Sequence, residues 1–147
     1  MSMSVCYITA TKEKFEEIKS GKLDFSDYVE SNRYTDSKEI QYMDLDFYAR
    51  DFMDYLYETG NSLGAIFSYV EPLSILQVDA GGMYDEEGLE IVLDSFNDED
   101  LLQVASEIEY SSQDENDQER FYGFLVGMKE YFEYAKANNL VIITWMI

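Results

Sequence analysis

Histidine is absent from the 147 residues of this chain, and cysteine and proline occur once each. Without imidazole there is no Ser-His-Asp or Cys-His nucleophile system and no zinc site with histidine ligands. The lone Cys6 cannot form an internal disulfide or a thiolate metal cluster. That excludes an extracellular disulfide scaffold and fits a reducing, cytoplasmic setting. Basic residues are scarce: 10 Lys and Arg stand against 31 Asp and Glu, a net charge of -21. Long apolar runs are missing as well. The longest, residues 140–147, is broken by Thr144 and falls far short of the roughly 20 residues that a membrane-spanning helix needs. The start, Met-Ser-Met-Ser, has no basic stretch leading into an apolar one, so no signal peptide is expected.

The scarcity of bases is concentrated in one place. Residues 51–119 hold 19 acids and not one Lys or Arg. Such a segment repels phosphate backbones and anionic lipid surfaces, so direct nucleic-acid or membrane binding is disfavoured. It attracts a basic partner and speeds encounter with it. A solvated face that keeps the protein soluble accounts for the same charge without any partner.

What is present argues for a folded chain. Hydrophobic residues make up 46% and aromatics 16%, too many for charge-driven disorder, and the length suits a single domain over residues 1–147. Residues 4–11 (SVCYITAT) are rich in β-branched and aromatic types and predict a first strand with Cys6 as a small core residue. Thr11 then caps a helix carrying Phe15 and Ile18 on one face, and Gly21 closes it. A short helix is expected around Leu23–Val29, and a polar loop over residues 30–41. Leu45, Tyr48, Ala49, Phe52 and Leu56 form one apolar stripe of a longer helix, with Asp44 at its start and Gly60 at its end. Residues 65–70, 73–78 and 89–93 are β-prone, with a turn at Ala80-Gly81-Gly82. Asn97 is expected to open a helix with Asp98, Glu99 and Asp100 in its first turn. Residues 110–119 are polar and read as an exposed connection. The last helix, from about Asp117 to Ala137, repeats Phe121, Leu125, Met128, Phe132 and Ala135 at helical spacing. Gly123 and Gly127 on it suggest close approach of a neighbouring element. LVIITWMI closes the chain as a central strand. The pattern predicts an α+β fold, with helices packed on a mixed β-sheet whose strands lie near both termini.

Motifs that carry chemistry are sparse. Gly81-Gly82 lacks the spacing of a phosphate-binding loop. The acidic clusters at residues 97–100 and 114–117 lack the glycine and the spacing of an EF-hand. Carboxylate pairs such as Asp44 with Asp46, or Glu86 with Glu87, match the residue types of glycosidic acid–base catalysis, but among 31 acids some pair always lies close. No cofactor and no metal is expected. Aromatics are plentiful, and Tyr55, Tyr57, Tyr131, Phe132 and Tyr134 sit on helices where not all can face inward. Exposed tyrosines beside acids suit Lys- and Arg-rich surfaces, although a tyrosine at the edge of a core explains them equally.

The order of features resembles the YfbM-like family, a bacterial domain of unknown function. The resemblance rests on the start MSMSVCYITATKEKFEEI, on the mid-chain helix ending in Thr59-Gly60, on LEIVLDSFNDEDLLQVASEI after the Gly-Gly turn, and on FYGFLVGMKEYFEYAKANNLVIITWMI at the end. It departs from the family in the middle helix, where the family tends to show Trp and His. Here the one Trp is Trp145, so no role of those residues carries over. The resemblance implies the fold and a bacterial cytoplasmic setting, and no activity.

The resulting expectation is a module that binds a basic protein, such as a cationic effector that it neutralises or a nucleic-acid-binding protein whose DNA it imitates. Asp85, Glu86, Glu87, Asp114, Glu115 and Asp117 are the candidate acidic surface. An enzyme or small-molecule binder using carboxylates and tyrosines in a pocket is the alternative. A soluble protein without a specific site is a third reading.

Overall fold

The longest apolar run of the chain lies at the centre of its sheet. A computed structural model describes residues 5–33, 42–44, 48–68, 71–72 and 82–146. Strand β1 (Val5–Thr11) pairs along its whole length with the last strand, β5 (Leu140–Met146), with Tyr7 opposite Thr144. Strand β2 (Tyr42–Asp44) adds to the other side of β1. Strands β3 (Glu71–Pro72) and β4 (Gly82–Tyr84) extend the sheet beyond β5, giving the order β2-β1-β5-β4-β3. The single proline, Pro72, thus sits on the outermost strand of the described sheet, the position prolines favour.

Two helical layers sandwich this sheet, and the architecture is α+β. Val5 and Tyr7 of β1 share one core with Leu140 and Ile142 of β5. Cys6, Ile8 and Ala10 share a second core with Val141, Ile143 and Trp145. Both faces are covered, so successive residues of β5 are all apolar except Thr144, which is itself buried. The irregular order of helices and strands predicts a mixed sheet. Every described pairing is instead antiparallel. A continuous run records burial on two faces and carries no information on strand direction.

The layer over the second core is thin. Helix α1 (Lys12–Lys19) starts at Thr11, whose hydroxyl accepts from the Lys14 N–H at 3.1 Å, and stops before Gly21, at φ 82°. Phe15 and Ile18 are its buried residues. Helix α2 (Phe25–Asn32) is capped by Asp24. Its Tyr28 hydroxyl donates to the Thr9 carbonyl at 2.8 Å, and Phe25 meets Trp145 edge-on at 5.1 Å. The expected polar loop therefore begins later than residue 30, and residues 34–41 lie outside the described ones.

The other face carries the larger layer. It comprises α3 (Ala49–Thr59), a 3-10 turn (Ser62–Gly64), α4 (Ala65–Ser68), α5 (Glu86–Asp98), α6 (Leu101–Glu107) and α7 (Asp117–Ala137). Phe132 of α7 anchors it, with rings of Tyr7, Tyr84, Phe96 and Tyr131 around it at 5.2–6.3 Å. All five residues of the α7 stripe are buried, as expected. Gly60, at φ 65°, ends α3 as expected.

Several local expectations fail for identifiable reasons. Asp44 does not start α3; it belongs to β2, and Tyr48 occupies the cap position. Residues 65–68 are helical and continue the 3-10 turn, which buries Leu63 as α4 buries Ile66. Residues 89–93 are helical too. Leu89, Val92, Leu93 and Phe96 are buried at helical spacing, and the Asp85 carboxylate accepts from the Gly88 N–H at 2.8 Å. A β-prone composition over five residues yields to a longer 3.6-residue periodicity with a cap. The helix expected from Asn97 starts instead at Leu101, where Asp100 accepts from the N–H groups of Leu102 and Gln103. Gly123 and Gly127 are exposed, and a Cβ at either would meet nothing within 4 Å, so no element approaches closely there. The strand expected at 73–78 and the start of the Ala80-Gly81-Gly82 turn fall outside the described residues, whereas Gly82 opens β4.

Candidate functional site

The six candidate acids do not form one surface. Asp85, Glu86 and Glu87 line a cleft of about 570 Å³ beside α1, while Asp114 and Asp117 line another, of about 340 Å³, with Tyr48, Ser112 and Arg120. Glu86, Glu87, Asp114 and Glu115 are exposed, and the Arg120 guanidinium lies 3.8 Å from Asp114.

Asp117 is the correction among them. It is 2% exposed and cannot present its carboxylate to a partner. Three groups donate to it: the Tyr48 hydroxyl at 2.7 Å, the Ser112 hydroxyl, and the Asp114 backbone N–H at 2.9 Å. The Ser112 hydrogen bond leads in holding its carboxyl below the ordinary range, with the Tyr48 bond adding to it. Burial leads in raising the Tyr48 phenol, and its bond to Asp117 adds to that. Residues 111–116 are exposed, as expected, and the bonds to Asp117 tie them into a corner at the start of α7. Tyr48, Tyr110 and Phe121 pack edge-on around it, with ring centres 5.6–6.1 Å apart.

On the other side of this corner lies a cleft of about 480 Å³ that the sequence reading did not single out. Asp51, Asp54 and Glu58 of α3 form one wall, Glu107 and Glu109 the other, with Tyr55, Thr59 and Ser111 between them. These are five carboxylates without a base. Asp51 is the structural member: its two oxygens accept from the Ser111 N–H at 3.1 Å and hydroxyl at 2.6 Å. Glu107 is braced on both oxygens, by Gln103 Nε2 at 2.7 Å and by the Tyr55 hydroxyl at 2.8 Å. Those two bonds, Gln103 first, hold its carboxyl below the ordinary range. Burial, followed by the bond to Glu107, pushes the Tyr55 phenol up to about 12. Glu107 thus moves down and Tyr55 moves up, both away from neutrality. This arrangement keeps a fixed negative charge; it does not poise a group for proton transfer near pH 7.

Half of this cleft was readable in advance. Asp51, Asp54 and Glu58 recur three and four residues apart, so one side of α3 is an acidic stripe. The second wall comes from residues more than 45 positions away, and no local pattern announces it. Among the described residues, no group of three or more acids and Cys6 has the geometry to hold a metal ion, and no helix is long and apolar enough to cross a membrane.

No family model and no curated protein matches the chain. A solved structure does. The chain is similar in fold to YfbM from Escherichia coli, a protein of unknown function. The likeness covers 100% of both chains with a TM-score of 0.56 at 13% sequence identity. At that identity the likeness is one of fold alone, and the YfbM-like arrangement of elements agrees with the resemblance seen in the sequence.

Proposed function

We propose that the chain is a binding module for a basic macromolecule, and that the acidic cleft between α3 and the end of α6 is its main contact. The observation that carries this reading is the gathering of five carboxylates, with no base, around that one cleft. Tyr57 supports it: it lies three residues after Asp54 on α3 and is 92% exposed, where it can offer its ring face to a lysine or arginine. A preformed negative cleft steers a cationic partner and favours it over neutral ones. The partner, on this reading, is a cationic effector protein or a nucleic-acid-binding protein. We take the setting to be the bacterial cytoplasm, in keeping with a single, buried Cys6, and the whole of residues 1–147 to be one YfbM-like domain.

The test is affinity capture at low and high salt, with the Asp54→Lys/Glu58→Lys variant beside the native chain. Both residues are exposed, so the variant is expected to fold. A basic protein that is retained in dilute salt, released by concentrated salt, and lost with the variant is the expected result. Exposed charges are screened within about 8–10 Å at physiological salt, so binding indifferent to salt and to the charge reversal would refute the reading.

A further inference from the structure

The cleft beside α1 differs in kind from the one on α3. Its floor is apolar: Phe15 of α1, Met83 of β4 and Val141 of β5 meet there. The same three residues belong to the second core of the sheet and are 4–6% exposed, so the trough meets them only at their edges. The reason is topological. Helix α1 packs over β1 and β5, and the sheet continues past them to β4, so a trough opens between α1 and the first turns of α5. The rim is acidic: Asp85, Glu86, Glu87 and Glu90 on the α5 side and Glu16 on the α1 side, against Lys12 alone. At about 570 Å³ the trough falls within the range of sites that hold a small ligand or one or two side chains.

The chemistry of this trough selects its occupant. An anion is excluded, because Asp85 already accepts from the Gly88 N–H at the start of α5 and further acids fill the first turn. A wholly polar cation leaves the floor unused, and a neutral apolar group leaves the carboxylates unmatched. We propose that the trough docks a segment of a basic protein that presents one apolar side chain between lysines or arginines. The apolar side chain rests on Phe15, Met83 and Val141, and the flanking cations meet Glu86, Glu87 and Glu90. This inference rests on the reading of the chain as a module for a basic partner, and adds to it a sequence preference that charge alone does not confer.

Three short peptides test it by calorimetric titration at low salt: Lys-Lys-Leu-Lys-Lys, the same with Gly for Leu, and Glu-Glu-Leu-Glu-Glu. A leucine that leaves water for the trough adds apolar burial that glycine lacks, so the leucine peptide is expected to bind about tenfold more tightly than the glycine one. The acidic peptide is expected not to bind. The triple variant Glu86→Gln/Glu87→Gln/Glu90→Gln, all exposed positions, is expected to abolish the preference for leucine. The Asp54→Asn/Glu58→Gln variant is expected to keep it, and amide chemical-shift changes should centre on Phe15, Met83 and Val141. Equal affinity for the leucine and glycine peptides would overturn this inference and leave the general electrostatic reading standing. Failure of both basic peptides to bind would overturn the two together. A preference lost in the Asp54/Glu58 variant and kept in the triple variant would move the anchor to the other cleft. Self-association in sedimentation that the triple variant abolishes would assign the trough to a second copy of the chain.

Discussion

Asp117 and Glu86 stand in the same local situation, each an acid in the first turn of a helix and each inside an acidic run. Asp117 is buried and takes hydrogen bonds from Tyr48, Ser112 and the Asp114 backbone. Glu86 is exposed and faces a cleft. One joins the corner before α7 to the start of α3; the other stays in water at the rim of a cleft. Density of charge along the chain is therefore no guide to role. The number of donors that the fold brings to a carboxylate, and the water it leaves there, decide between support and display.

The largest effect is expected from breaking that contrast at its buried end. Asp117→Ala leaves three donors without their acceptor, so its Tm should fall by several degrees, whereas Glu86→Ala should leave the Tm unchanged. Equal Tm values for the two variants would erase the distinction between them.

Two buried hydroxyls sharpen the comparison from the other side. The Tyr7 and Tyr84 hydroxyls have no partner among the described residues, and burial raises both phenols above their ordinary values. A buried donor left unmade costs about 1–3 kcal/mol. Tyr84→Phe keeps the ring against Phe132 and removes that cost, so urea denaturation should show a gain of about 1 kcal/mol. A loss of stability would mean that the hydroxyl is satisfied.

A smaller gain is expected on α7. Gly123→Ala and Gly127→Ala place a methyl group where nothing lies within 4 Å, and each should add about 0.5–1 kcal/mol in the same assay through helix propensity alone. A loss at either position would restore the idea of a close neighbour.

The smallest effect separates the two kinds of acid by pH. Asp117 and Glu107 are held below their ordinary values of 3.8 and 4.5. Their contribution to stability is complete above those values and is lost as pH falls through the lower folded ones. Stability should therefore be level above those ordinary values and fall as the solution becomes more acid. Asp117→Asn should weaken that fall, and an acid limb unchanged in this variant would contradict the division.

What was legible in the sequence follows from the length of each signal. The 21-residue helix α7 repeats its apolar stripe through about four turns, and its expected limits agree with the observed ones. Caps at Thr11 and Gly60 were readable because their geometry is local. The five-residue stretch LEIVL was misread as a strand because so short a run fits both periods, and only its neighbours Asp85 and Phe96 show the helix. The acidic wall of α3 was readable as a stripe at helical spacing, but Glu107 and Glu109 were not.

The sequence by itself determined that this chain folds, that it lacks histidine chemistry and an internal disulfide, that its last described elements are a helix and a strand, and that its charge gathers between residues 51 and 119. Those are properties of composition and of local period. The tertiary structure alone decided that β1, β4 and β5 run antiparallel, that the sheet is covered on both faces, and that Asp117 is buried while Glu86 is not. It also decided which acids share a cleft. Each of these depends on residues far apart in the chain, and the free energy of a carboxylate is set by the donors and the water that the fold places around it.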